Sequence, residues 1–234
     1  MFSTPDRLSV WAVFLAVLLP VGYAFLGAAT PEEMGEHLRE TIIISGDYYI
    51  EENLTLEGDN IFVASSSSNP ITIQINASYT VRFLNCTISS TDGYFRIVSY
   101  GRLIMKNTTV SNFGYWNHQH SIIIKGRGSL LENCTFRNFT TPITFSSTSE
   151  SVIKDCLFVN YTGTPWVYTP PTSAVEAAVY IYFSWNITIS GNRIVDVKGG
   201  DGQMDRTGNG IQPPITSAVM MEFANNVTLS LIHI

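Results

Sequence analysis

Apolar and polar residues alternate along most of this chain in runs of only four to six positions. Ile71, Ile73 and Ile75 share one parity, and so do Val81 and Phe83. Side chains of an extended chain point alternately to opposite faces, so each run predicts a short half-buried β-strand. The runs return at even spacing without the helical segments that would connect strands into βαβ units, so the pattern predicts a repeat of strands and turns.

Aligning the chain with itself supplies the repeat unit: a turn residue, then a small residue, then an apolar residue two positions later. Its copies include Asn85-Cys86-Thr87-Ile88, Asn107-Thr108-Thr109-Val110, Asn133-Cys134-Thr135-Phe136, Asp155-Cys156-Leu157-Phe158 and Gly191-Asn192-Arg193-Ile194. The apolar markers Ile88, Val110, Phe136, Phe158 and Ile194 are 22, 26, 22 and 36 residues apart, which are coil-sized steps with one insertion. The segment 179–189 also matches 219–229 without gaps at a shift of 40. These features predict an all-β solenoid of roughly seven coils stacked at ~4.8 Å. Residues 49–56, followed by 60–63, read as its first coil. The small residues Cys86, Thr108, Cys134, Cys156 and Asn192 are expected to form an inward column. In-register stacking favours three buried thiols there; only Cys134 and Cys156 come close enough to consider a bridge.

The repeat resembles the pectin-lyase-like right-handed parallel β-helix superfamily. Within it, residues 186–194, Asn-Ile-Thr-Ile-Ser-Gly-Asn-Arg-Ile, are similar to surface repeats that read Asn-x-Thr-Ile-Ser-Gly-Asn-x-Ile. The resemblance covers about residues 42–230. It implies the architecture and leaves function open, because binding modules, lyases, hydrolases and structural proteins share it.

The ends of the chain follow other rules. Residues 10–29 are apolar or small throughout and follow a short start containing Arg7, so residues 1–30 read as a signal peptide or an uncleaved membrane anchor. Either reading places the remainder outside the cytoplasm, secreted or at the cell surface. Residues 31–41 read as a linker, with a cap helix over 32–40. Residues 42–234 are assigned to the β-helix. The expected repeat fails after Ser230, where Leu231 and Ile232 replace the turn residues, and this reads as a C-terminal truncation.

Composition narrows the function. With 13 Lys and Arg against 19 Asp and Glu, the formal charge is −6, and no basic block exists to follow a phosphate backbone. Nucleic acid is therefore not an expected partner. Three insertions, residues 112–120, 161–171 and 198–210, follow the same point of the coil and should emerge on one side. Tyr115, Trp116, Trp166 and Tyr168 offer flat faces for sugar rings, with His118 able to take a hydroxyl hydrogen bond. Glycans or other cell-surface components are the expected partners; the plainer alternative is that these aromatics pack the loops onto the strands.

For catalysis the candidates are Asp196, Asp201, Asp205 and Arg206. The resemblance implies that a lyase would hold Ca2+ on Asp ligands beside an Arg or Lys base, and that a hydrolase would present paired carboxylates. The Gly-His-Gly and Arg-Ile-Lys signatures of the hydrolases are absent. His118 and His120 lack a third ligand, and no resident metal or cofactor is assigned. A polysaccharide lyase or glycoside hydrolase, and a passive surface stalk, therefore stand as alternatives to binding. Nine Asn-x-Ser/Thr sequons also occur, of which Asn76, Asn138 and Asn160 are expected to be the better exposed glycosylation sites.

Overall fold

The computed structural model describes residues 40–114, 121–162, 176–197, 216–230 and Ile232. The chain divides into two units, and all described residues belong to the second, Arg39–Ile234. The expected signal or anchor segment and the cap helix over 32–40 thus lie outside the described residues, apart from Glu40.

Each coil contributes three strands. The first holds β1 (Thr41–Ile44), β2 (Tyr48–Ile50) and β3 (Leu54–Glu57); the second holds β4 (Asn60–Val63), β5 (Ile71–Ile75) and β6 (Thr80–Leu84). Next come β7 (Thr87–Ser90), β8 (Phe95–Ser99) and β9 (Arg102–Lys106), then β10 (Thr109–Phe113), β11 (Ile122–Ile124) and β12 (Leu130–Glu132). The fifth coil holds β13 (Thr135–Phe139), β14 (Ile143–Ser146) and β15 (Val152–Lys154), and the sixth β16 (Leu157–Tyr161), β17 (Glu176–Tyr182) and β18 (Trp185–Ser190). The seventh holds β19 (Arg193–Val197), β20 (Thr216–Glu222) and β21 (Asn225–Ser230). Every third strand pairs in parallel, giving three seven-stranded sheets: A from β1 to β19, B from β2 to β20 and C from β3 to β21. This is a parallel β-helix. The solenoid starts earlier than the expected first coil, with β1, and residues 49–56 divide at a corner between β2 and β3.

The markers stack as the repeat requires. Ile42, Ile61, Ile88, Val110, Phe136, Phe158 and Ile194 pair in one register through sheet A. The shift of 40 is the register of the last two coils, with Val179 opposite Val219 and Ile189 opposite Leu229. Inside, Phe113 stacks on Phe139 with ring centroids 5.1 Å apart, and Phe139 meets Tyr161 at 5.2 Å. Each ring is fully buried, and burial of such a side chain is worth roughly 1.5–3 kcal/mol.

One backbone device recurs at the corner from sheet C to sheet A. Asn85, Asn107, Asn133 and Asp155 all take φ between 51° and 56°, the left-handed region that Asn and Asp tolerate best, and Gly58 and Gly191 occupy the same corner at positive φ. The next residue then points inward. Cys86, Thr108, Cys134, Cys156 and Asn192 are all buried, and the three cysteines are free thiols. The column links its rungs: the Cys86 amide donates to Thr108 Oγ1 at 3.4 Å and the Cys156 amide to Asn192 Oδ1 at 2.9 Å. Contact with the Cys134 thiol, reinforced by burial, pushes the Cys156 thiol far above the usual range, so the Cys156 sulfur stays protonated and is structural rather than nucleophilic.

Candidate functional site at the outer face of sheet B

The three insertions share a place in the coil. Each leaves a strand of sheet A and enters one of sheet B: β10 to β11, β16 to β17 and β19 to β20. In the fifth coil the same corner needs only Thr140, Thr141 and Pro142. Tyr115, Trp116, His118, Trp166, Tyr168, Asp201, Asp205 and Arg206 lie outside the described residues.

Of the catalytic candidates, Asp196 alone is among the described residues. It sits in β19 at φ 55°, exposed, in register with Asn112, Asn138 and Asn160, each also at positive φ. Asn138 donates through Nδ2 to Asn112 Oδ1 at 3.0 Å, and Asn160 does the same to Asn138 at 2.9 Å. Asp196 extends this column without a hydrogen bond to its carboxylate among the described residues. Its backbone conformation explains the residue type, because Asn and Asp visit the left-handed region at low cost. The same column corrects the expected exposure of Asn138 and Asn160, which are half-buried, whereas Asn85, Asn107 and Asn133 are exposed. The corner asparagines project from the coil, while those within sheet A strands are held between the strands above and below.

What sequence reading missed lies at the corner from sheet B to sheet C in the last two coils. Phe183 and Phe223 follow β17 and β20, and both take positive φ, 46° and 51°. Left-handed backbone costs a bulky residue roughly 1–2 kcal/mol, yet neither ring enters the core: Phe183 is 46% exposed and Phe223 73%. They stack on each other at 4.6 Å and 13°. Tyr182 meets Phe183 edge-on at 4.5 Å, and Trp185, two residues further on, is 50% exposed. The signal was present in the shift of 40, which places Phe at the same point of both copies.

Beside this ridge, the outer face of sheet B carries polar groups. Alternation puts Tyr180 and Tyr182 of β17 and Glu222 of β20 outward, with Val179 and Ile181 in the core. The Tyr180 hydroxyl donates to Glu222 Oε2 at 2.7 Å. Burial, helped by this hydrogen bond, raises the Tyr180 pKa well above the ordinary phenol value, so its proton stays in place. Directly opposite Tyr180 on β14 stands Thr144, buried, with no hydrogen bond to its Oγ1 among the described residues. The corner and the adjoining end of sheet B therefore combine exposed rings with the half-buried Tyr182 and Glu222, while the Tyr180 and Thr144 hydroxyls are buried, and rings beside polar groups are a set suited to polyhydroxylated ligands. Among the described residues, no group of three or more His, Cys, Asp or Glu is placed to hold a metal ion, and no helix is long and apolar enough to cross a membrane.

A family model described as right handed beta helix region matches residues 52–227. No curated protein matches the chain, and no solved structure does.

Proposed function

The chain belongs to the right-handed β-helix family, and on that scaffold we propose an exported surface module that binds glycan chains along the outer face of sheet B. The observation that carries this reading is the pair Phe183 and Phe223, held in the left-handed region and turned to solvent in consecutive coils. The two strained phenylalanines yield no core burial and, among the described rings, pack only on each other and on Tyr182 at the surface, and strain kept for a solvent-facing ridge points to a ligand. Sugar rings present C–H faces that pack on aromatic rings while their hydroxyls seek hydrogen bonds. Trp185 and the Phe183–Phe223 ridge supply the first, and Tyr182 and Glu222 the second. The insertions bearing Tyr115, Trp116, His118, Trp166 and Tyr168 connect sheet A to the other ends of the sheet B strands, and their rings, outside the described residues, are proposed as further contacts. Export rests on the apolar stretch 10–29.

Support for a lyase or hydrolase is weaker, because Asp196 occupies a position whose backbone accounts for it. The test is titration of soluble polysaccharides and arrayed glycans against the full chain, read by tryptophan fluorescence and calorimetry. Phe183→Asn and Phe223→Asn, which keep the left-handed backbone, and Trp185→Ala are expected to weaken binding about tenfold each, the loss of ~1.4 kcal/mol of contact. Failure of the intact protein to bind any glycan leaves the stalk as the better account. Cleavage of the polysaccharide during titration restores the enzyme.

A further inference from the structure

The nine sequons share the Asn-x-Ser/Thr pattern and are unequal in the coil. N-linked transfer uses the Asn amide nitrogen, so the relevant observation is where each Nδ2 goes. In six sequons it is already donating. Asn107 donates to Asn85 Oδ1 at 3.0 Å, Asn133 to Asn107 Oδ1 at 2.8 Å and Asn226 to Asn186 Oδ1 at 2.6 Å. Asn138 and Asn160 are bound in their own ladder, and Asn76 donates to Glu51 Oε1 at 3.0 Å.

Three sequons differ. Asn53, Asn85 and Asn186 are exposed, and in each the amide oxygen is the anchored end. Asn53 Oδ1 accepts from the Thr80 amide at 2.8 Å, Asn85 Oδ1 from Asn107 and Asn186 Oδ1 from Asn226. No hydrogen bond engages their Nδ2 atoms among the described residues. Asn85 and Asn186 are the first rungs of their amide ladders, Asn53 is held by a backbone amide alone, and what precedes the two ladder asparagines leaves room. Asn85 is preceded at its corner by Gly58, around which even an added Cβ would meet nothing within 4 Å. Asn186 is preceded by Glu150, whose carboxylate is drawn to Arg127.

We propose that the folded coil accepts N-linked glycans at Asn53, Asn85 and Asn186 and withholds the other six sequons through their amide hydrogen bonds. The co-reactant is an oligosaccharide on a lipid diphosphate. Nδ2 forms a bond to the anomeric carbon and loses one proton to a base, the bond from that carbon to the diphosphate oxygen breaks, and the lipid diphosphate leaves with the electron pair. An amide already donating in a ladder must leave its rung before its nitrogen can be grasped; a terminal rung need not.

In a cell this modification depends on the export assumed above. The test does not. The folded full-length protein is incubated with a purified oligosaccharyltransferase and its lipid-linked donor, beside unfolded peptides spanning all nine sequons, and occupancy is read by peptide mass. The expected result is transfer to all nine peptides, with occupancy in the folded protein at least tenfold higher at Asn53, Asn85 and Asn186 than at the other six. Equal occupancy of the ladder asparagines, or no transfer to the three in folded protein whose peptides are modified, overturns the proposal. Asn112→Gly keeps the left-handed backbone and removes the acceptor of Asn138; it should open Asn138 to transfer, and an unchanged Asn138 counts against the mechanism. Glycan transfer without polysaccharide binding would separate this inference from the binding function.

Discussion

Single residues in this molecule are constrained by the coil above or below more than by their chain neighbours. Gly126 shows the limit: a Cβ there would lie 1.7 Å from the Gly101 carbonyl oxygen, and one on Gly101 2.2 Å from that of Tyr79. Neither glycine is at positive φ, so the constraint is backbone passing over backbone. Gly126→Ala should therefore force two coils apart and cost about 3 kcal/mol or more. Gly58→Ala is the contrasting case, with open space around it and only the left-handed backbone to strain, about 1 kcal/mol. Urea unfolding of the two variants against the parent measures the difference, and equal midpoints would show that the close approach is not limiting.

At the scale of the strand, identical positions in successive coils form ladders, and those on sheet C are ionic. Glu132 of β12 lies between Lys106 of β9 and Lys154 of β15, at 2.9 and 2.5 Å. Hydrogen bonds from Lys154 and Lys106 hold its carboxyl below the usual carboxylate range. A depressed folded-state pKa means that the contribution is complete above the unfolded value and is lost as pH falls through the folded one. All three side chains reach solvent, so the effect is small and screened by salt. Glu132→Gln should unfold at lower urea than the parent at pH 7, and the gap should begin to narrow near the unfolded Glu value, about pH 4, and close as pH falls through the lower folded-state value. A gap that stays constant down to pH 2 would assign the loss to packing instead of charge.

Over the whole solenoid, stability should be graded along the stack because each coil touches only its neighbours. The fourth to sixth coils contain the Phe113, Phe139 and Tyr161 rings and are buried on both sides, whereas β21 has five exposed residues among its six and, among the described residues, no strand paired beyond it. Hydrogen exchange followed by mass spectrometry should find the slowest amides in β10 to β14 and the fastest among the strands in β19 to β21. Uniform protection would mean that the solenoid opens as one unit.

Much of this arrangement was legible in the sequence. The coil spacing, the marker column from Ile88 to Ile194, the inward small residues and the shared corner of the insertions all follow from local pattern. In-register parallel stacking repeats local chemistry at a fixed interval, so the sequence carries it directly. Counting by twos failed where one residue turns left-handed. After Asn138, alternation would send Phe139 outward, and after Tyr182 it would bring Phe183 inward; the structure buries Phe139 and exposes Phe183. A single positive φ resets the parity of every side chain after it, and Phe183 gives no compositional warning because the usual residues there are Asn, Asp or Gly. The direction of each amide ladder was also beyond the sequence. Eight sequons are Asn-x-Thr and that of Asn76 is Asn-x-Ser, and neither form says which nitrogen is left undonated, because that depends on the residues of the neighbouring coils. The sequence by itself thus determined the coil and its core, because these are sums of local preferences. Only the tertiary structure decided which face is offered to a ligand, because facing depends on backbone handedness at single residues and on neighbours more than twenty positions away.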